Sequence, residues 1–381
     1  MSCLRLSAAV GVAAVLLCAY SWSPAFFTQN AALANWAPLT RELSGWHHHE
    51  SHHAALQGPQ HQARPISDQA WNIHHHLGGN GPWISNADEN NNDIRTPTGC
   101  EIEQVHILSR HAERYPTMKA GGRLLDLLIR LHRSDVMMVG DLEFANDWKF
   151  FTSDPMRDFD QLTRSGPYAG TLAAFTTGVR MRTRYGHLLD QHFSTRQLLN
   201  LWAGDSQRVI ETAEHFAAGL LGLGWKSRAI LHIVPEEPST GGDTLTPGKA
   251  CLNYIQDVQN GRESGYAALA TFTDTAFAAT AARLSKFIKT TSSQNFKLST
   301  VDVYAMQELC GFEILTRGSS PWCDIFTKDE WERFAYARDL LHFYRAGPGG
   351  KYSRTMGALY LNTTAELMLQ GPEAGPLFFS L

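Results

Sequence analysis

Seven consecutive residues, Arg110-His111-Ala112-Glu113-Arg114-Tyr115-Pro116, bring together the side-chain types that phosphoryl transfer from an ester requires. A neutral imidazole is a competent nucleophile at phosphorus and forms a covalent intermediate that splits one hard displacement into two easier ones. The transferring group spreads its charge over three equatorial oxygens, so catalysis is mostly positioning and electrostatic stabilisation. Guanidinium forks match phosphate oxygens bidentately, which lysine cannot do. Arg110 flanks His111, and Arg114 lies three residues on, one turn away if a helix starts there. Pro116 locks its own backbone and restricts Tyr115, fixing the exit of the loop. The plainer alternative is a surface Arg/His run paired with carboxylates, and residue types alone favour it.

The flanking elements must hold these groups in place. Glu103 to Ser109 alternates loosely and is rich in strand formers, which predicts a short, mostly buried strand. The cationic motif follows at its carboxyl end, where open α/β sheets bind their ligands. Arg208 opens a stretch with Val209, Ile210, Ala213, Phe216, Ala217, Leu220 and Leu221 at helical spacing, ended by Gly222 and Gly224. An arginine in that first turn aims its fork outward beside the partly positive helix end. Ala229 to Val234 reads as a second buried strand, Ala276 to Leu284 as helix, and Ser299 as the cap of another helix.

Composition sets bounds. The 381 residues suffice for one large domain or two ordinary ones, and 43% hydrophobic with 18% charged content reads as globular. A net charge of −4 with no basic stretch argues against nucleic acid as a partner, so phosphate binding must be local. After Arg5 the uncharged run Leu6 to Tyr20 suits a secretory signal better than a full membrane span. Trp22, Pro24, Phe26 and Phe27 prolong it, so residues 1–27 are read as signal peptide or uncleaved signal anchor. Only the anchor form would involve a membrane, and both place the chain outside the cell or facing outward.

Residues 28–98 read as a poorly ordered arm rich in His and Asn. Histidines cluster at His47-His48-His49, His52-His53 and His74-His75-His76. No Cys, Asp or Glu joins them at a ligand spacing, so no structural metal and no cofactor are assigned. His76 to Trp83 reads as an ordered turn that docks an aromatic anchor on the globular part. Residues 99–250 are read as an α/β domain and 251–355 as a smaller helical domain. Residues 356–381 then return to the first domain as a helix and a last strand.

The motif resembles the Arg-His-Gly-x-Arg-x-Pro signature of the histidine acid phosphatases, and Glu-Arg-Tyr-Pro is similar to their fungal acid phosphatase and phytase branch. Further segments look like landmarks of that branch: Gly140 to Trp148, Ser165 to Gly170, Arg184 to Leu188, Arg208 to Ala213 and Phe326 to Trp331. The resemblance covers residues 99–381. It implies a large α/β domain with a phosphoglycerate-mutase-like sheet flanked by helices, beside a smaller α-helical domain. It also implies His111 as nucleophile, with Arg110, Arg114 and Arg208 as phosphate ligands. Ala112 departs from the usual glycine, which matters only if the position needs positive φ.

A second departure concerns the general acid. The family places a His-Asp pair directly after a strand that looks like Gly375 to Leu381, and its Asp protonates the leaving alcohol. The sequence ends at Leu381 and contains no His-Asp dipeptide. The expectation is a chain truncated just before its proton donor, with Asp158, Asp160 and Asp205 as substitutes by type only. Setting aside Cys3 and Cys18 leaves four cysteines. The resemblance implies a local Cys310–Cys323 bridge and partners for Cys100 and Cys251 further toward a C-terminus; a Cys100–Cys251 bridge is the alternative. Asn362-Thr363-Thr364 is the only glycosylation sequon. The expected function is a secreted acid phosphatase or phytase acting on phosphate esters, including inositol phosphates. A phosphoglycerate mutase relative and a non-catalytic phosphate-binding protein are the alternatives.

Overall fold

The computed structural model describes residues 71–85, 95–291 and 296–381. Strand β1 (Val105–Leu108) leads into the motif loop and then α1 (Met118–Leu131). The Thr117 hydroxyl caps α1 by accepting from the Ala120 N–H, and Leu124, Leu127, Leu128 and Leu131 form its buried face at helical spacing. Strand β2 (Val136–Met138) follows, then the long α2 (Gly170–Ser194), β3 (Leu199–Gly204), α3 (Gln207–Leu221) and β4 (Ala229–Val234). The second half holds α4 (Ser264–Ala276), α5 (Ala278–Ser285), β5 (Ile288–Thr290), α6 (Thr300–Arg317), α7 (Lys328–Arg345), α8 (Ser353–Gln370) and β6 (Leu377–Ser380).

Four strands form a parallel sheet in the order β1-β6-β3-β4, and β2 pairs with β5 in a separate antiparallel ribbon. The last strand of the chain therefore lies between β1 and β3. The Ser109 N–H donates to the Ser380 carbonyl at 2.8 Å and the Leu381 N–H to that of Trp202 at 2.9 Å, which extends the register to the carboxyl edge. This parallel sheet flanked by helices is the α/β class expected from the sequence.

Two apolar cores hold the molecule. One joins β1, β3 and β6 to α2 and α3 through Leu201, Phe216, Leu220, Leu377 and Phe379. The other gathers α1, Met138, α5, α6 and α7 around Trp322, Trp331 and Phe334. Thus α1 shares its core with helices far later in the chain, because its leucine face matches α6 rather than the sheet. The division of the cores crosses the chain-order division at residue 250. Helix α6 is buried on nearly every side. It starts at a Ser299/Asp302 capping box and stops at Gly318 in the left-handed conformation.

Residues 71–85, within the segment expected to be poorly ordered, are ordered, as expected for His76 to Trp83. They form two short 3₁₀ turns packed on the second core, anchored by fully buried Leu77 and by Asn80. Trp83, expected as the anchor, is 64% exposed. A smaller apolar side chain filled the niche, and the indole lies instead beside the Arg180 guanidinium, 5.5 Å from the ring centre. Residues 28–70 and 86–94 of the expected arm lie outside the described residues, as does the apolar N-terminal run. Among the described residues no helix is long and apolar enough to cross a membrane.

Candidate active site

The motif loop leaves β1 at the carboxyl edge of the sheet, and three contacts hold it extended. The Tyr115 N–H donates to the Gln161 carbonyl at 2.9 Å, the Thr163 N–H donates to that of Glu113 at 3.0 Å, and Arg114 bridges Leu162. No helix starts at Arg114, so the one-turn spacing does not apply; α1 begins only at Met118. Pairing with the 161–163 segment satisfies the backbone groups that a helical turn would otherwise use. Gly170 opens α2 directly against this loop, where any Cβ would lie 1.9 Å from the Glu113 carbonyl oxygen.

The sheet brings the second cationic segment to the same edge. Helix α3 begins two residues after β3, so Arg208 stands in its first turn. The Ala112 N–H donates to Thr212 Oγ1 at 3.1 Å, and that hydroxyl donates to the Arg208 carbonyl at 2.7 Å. Arg208, almost one hundred residues from the motif, is thereby stitched to it. Ala112 does not adopt positive φ, so the alanine in place of glycine is unstrained.

His111 is held in one tautomer. Its Nδ1 lies 2.8 Å from the Ala112 carbonyl oxygen, which can only accept, so Nδ1 carries the proton and Nε2 keeps its lone pair. Arg114 Nε approaches that Nε2 at 3.4 Å, a long contact that an incoming anion can replace. Burial, together with the Arg110, Arg114 and Arg208 charges, pushes the imidazole from 6.5 down to about 3. The ring therefore stays neutral and nucleophilic well into the acid range. Arg114, crowded by burial and by Arg110 and Arg208, falls to about 10 and remains charged. Arg208 has a carboxylate partner only at 3.9 Å, from Asp160, and its Nε is buried with no hydrogen-bond partner. The four residues singled out in the sequence thus form one cationic cluster around one neutral imidazole.

A second wall was not read from the sequence. The carbonyl of Gly79, in the 71–85 segment, accepts from Arg110 Nη1 at 3.2 Å, and the Trp83 N–H donates to Glu113 Oε1 at 2.8 Å. Arg338 on α7 packs against Gly78, and its charge acts on Arg110 and Arg114. It donates to the Tyr304 hydroxyl at 2.6 Å and lies 3.7 Å from Glu308, which also pairs with Arg123 and accepts from Asn80. His342, open to solvent on one side of α7 and facing Arg338, Arg345 and Arg110 on the other, is pushed down to about 4 by partial desolvation and those charges. The available signal was Glu308, an acidic residue in the middle of a mostly apolar helix, because such a group is buried only with partners.

The three candidate substitute acids are engaged elsewhere. Asp158 accepts from the Thr152 hydroxyl and pairs with Arg157, and Asp205 accepts from the Glu236 N–H. Asp160 accepts from the Met118 N–H at 3.1 Å and faces Arg208. Of these three, Asp160 alone touches the cluster. Cys310 and Cys323 are bonded with their Cα atoms 5.0 Å apart. Cys100, exposed, and Cys251, buried, form no bridge with each other. Asn362 is exposed on α8. His47 to His49 and His52-His53 lie outside the described residues, whereas His76 stacks on Trp71.

Comparison with known proteins places this geometry. The chain is 32% identical over 321 residues to phytase PHO112 of Candida albicans, which covers 82% of it. It is 33% identical over 322 residues to acid phosphatase PHO1 of Komagataella pastoris, again covering 82%. It spans 66% and 65% of the lengths of these two relatives. The crystal structure of the phytase from D. castellii superposes with a TM-score of 0.71 at 27% identity, over 83% of this chain and 68% of that one. The profile of the histidine phosphatase superfamily, branch 2, matches residues 101–376, from just before β1 almost to β6. With an Arg-His motif at the mouth of a parallel sheet and a match over most of its length, the chain belongs to branch 2 of the histidine phosphatase superfamily.

Proposed function

We propose that this protein hydrolyses phosphate monoesters of the acid phosphatase and phytase type through a phosphohistidine at His111. The observation that carries the reading is the fixed tautomer, with Nε2 unprotonated among three arginines. Arg110, Arg114 and Arg208 bind the phosphoryl oxygens. The Nε2 lone pair forms a bond to phosphorus as the ester P–O bond breaks, and water then attacks the phosphohistidine to release phosphate. The leaving oxygen also needs a proton when it is an alkoxide. Among the described residues Asp160 and Glu113 are the carboxylates that touch the cluster, and each accepts a backbone hydrogen bond on one oxygen, from Met118 and Trp83. Aryl phosphates, whose leaving group needs no proton, are therefore the esters that test the phosphohistidine step independently of a proton donor. Relatives named as phytases support inositol phosphates among the substrates. Export from the cell is the matching location, supported by the apolar run after Arg5 and the Cys310–Cys323 bond.

The test is rapid-quench capture of the phosphoenzyme from a labelled aryl phosphate. Wild-type protein should carry acid-labile label and His111→Ala none. Label retained by the purified variant would exclude His111 as nucleophile. The engaged carboxylates also favour a second reading, phosphate binding without turnover. Tight orthophosphate binding by a chain that never takes up label would establish it.

A further inference from the structure

We infer that Glu236 is a positioning residue that acts through the β3–α3 turn to aim Arg208 at the substrate phosphate. The inference rests on the reading of Arg208 as a phosphate ligand. Glu236 follows β4, two residues beyond its end, and is only 5% exposed. Its groups grip both residues of the neighbouring turn. The Glu236 N–H donates to Asp205 Oδ2 at 3.1 Å, and its Oε2 accepts from the Ser206 hydroxyl at 2.8 Å. Lys249 pairs with the same carboxylate and donates to Ser206 Oγ at 2.8 Å, while Thr246 donates to Oε1. Gly204, the last residue of β3, leaves room for this carboxylate, since a Cβ there would lie 2.6 Å from Oε1.

Ser206 occupies the N-cap of α3, where a serine hydroxyl ordinarily accepts from the first-turn amides. It makes no such bond here, because the hydroxyl is turned to Glu236. The turn is therefore held from beneath by a buried carboxylate, paired with a surface lysine, rather than by its own cap. Arg208 begins two residues later, and its side chain is weakly tethered, with Asp160 at 3.9 Å and an unpartnered Nε. Its direction is then set by the backbone of the turn. A buried carboxylate costs desolvation that an apolar side chain would not, and the geometry it imposes is what the site gains. Burial pushes Glu236 up, but Lys249, Thr246 and Ser206 outweigh it and hold it at about 2. The support therefore persists through the acid range.

The experiment is orthophosphate titration calorimetry on the full chain, comparing wild type, Glu236→Gln, Arg208→Ala and the double variant. Glu236→Gln should weaken binding by about tenfold, the scale of losing a residue that orients a ligand-binding group. In the Arg208→Ala background it should add nothing, because the two changes act on one contact. Unchanged affinity in a folded Glu236→Gln protein, or additive losses in the double variant, overturns the inference. If Glu236→Gln lacks a cooperative melt, Ser206→Ala serves instead. It should keep the wild-type melting temperature and weaken binding about threefold, a hydrogen bond's worth, and unchanged affinity again overturns the inference. Absence of phosphate binding by the wild type would remove the parent reading together with this one, whereas a binding wild type with an indifferent Glu236 removes this one alone.

Discussion

A single hydrogen bond, from His111 Nδ1 to the Ala112 carbonyl, orients the imidazole and leaves Nε2 with its lone pair, as the proposed nucleophilic role requires. The surrounding arginines keep it unprotonated, and that has a stability consequence. His111 titrates at about 3 and His342 at about 4 in the folded chain, against 6.5 for an unperturbed imidazole. Between pH 6.5 and about 3 the unfolded chain therefore binds more protons, so folding stability falls as pH falls through this window. The His342→Gln variant should lose less stability than wild type between pH 6.5 and 4, measured by urea denaturation at each pH. Equal losses in the two proteins would show that His342 is not held neutral. The motif itself was legible from residue types and spacing. The tautomer was not, because it depends on a backbone angle that residue types do not specify.

At the scale of elements, α3 carries Arg208 and approaches α2 through glycines. A Cβ at Gly178 would lie 2.1 Å from the Phe216 carbonyl oxygen, and one at Gly219 would lie 2.0 Å from that of Phe175. Close backbone approach fixes where α3 starts and hence where Arg208 stands. Gly219→Ala should destabilise the protein by about 1–3 kcal/mol through overpacking, despite the better helix propensity of alanine. A melting temperature at or above that of wild type would refute this. Much of this layer was readable in advance: the existence of the β1 and β4 strands, the end of α3 at Gly222, and the Ser299 cap, but both strands were read as buried and expose Leu108, Ile230 and Ile233. The Ala276–Leu284 helix was read as continuous, whereas the structure breaks it at Phe277 between α4 and α5. That ring is buried in the second core, and tertiary packing overrode the local helical pattern.

In the whole molecule the clamp is assembled from segments belonging to both cores. Motif and α3 come from the sheet side, whereas Arg338, Glu308 and Tyr304 come from the buried helices opposite. Cys310–Cys323 lies in the helical core and closes a loop with a sequence separation of 13. Loop-closure entropy puts its contribution at about 3 kcal/mol. Reduction, or a Cys323→Ser substitution, should lower the melting temperature measurably while leaving phosphate affinity of the folded protein nearly intact. A loss of affinity larger than the loss of stability would mean that the bridge shapes the clamp directly.

The amino-acid sequence by itself singled out His111 as candidate nucleophile, Arg110 and Arg114 close to it, the strand that presents them and the resemblance that adds Arg208. These are local patterns, in which the period of burial or the order of a few side chains carries the information. Only the tertiary structure decided the second wall, the buried Glu236 support and the insertion of β6 between β1 and β3. Each depends on contacts between residues 30 to more than 200 positions apart. Such contacts follow from how whole faces pack, and no short stretch of residues carries a periodic trace of them. The motif was visible as chemistry, and the fold supplied its geometry.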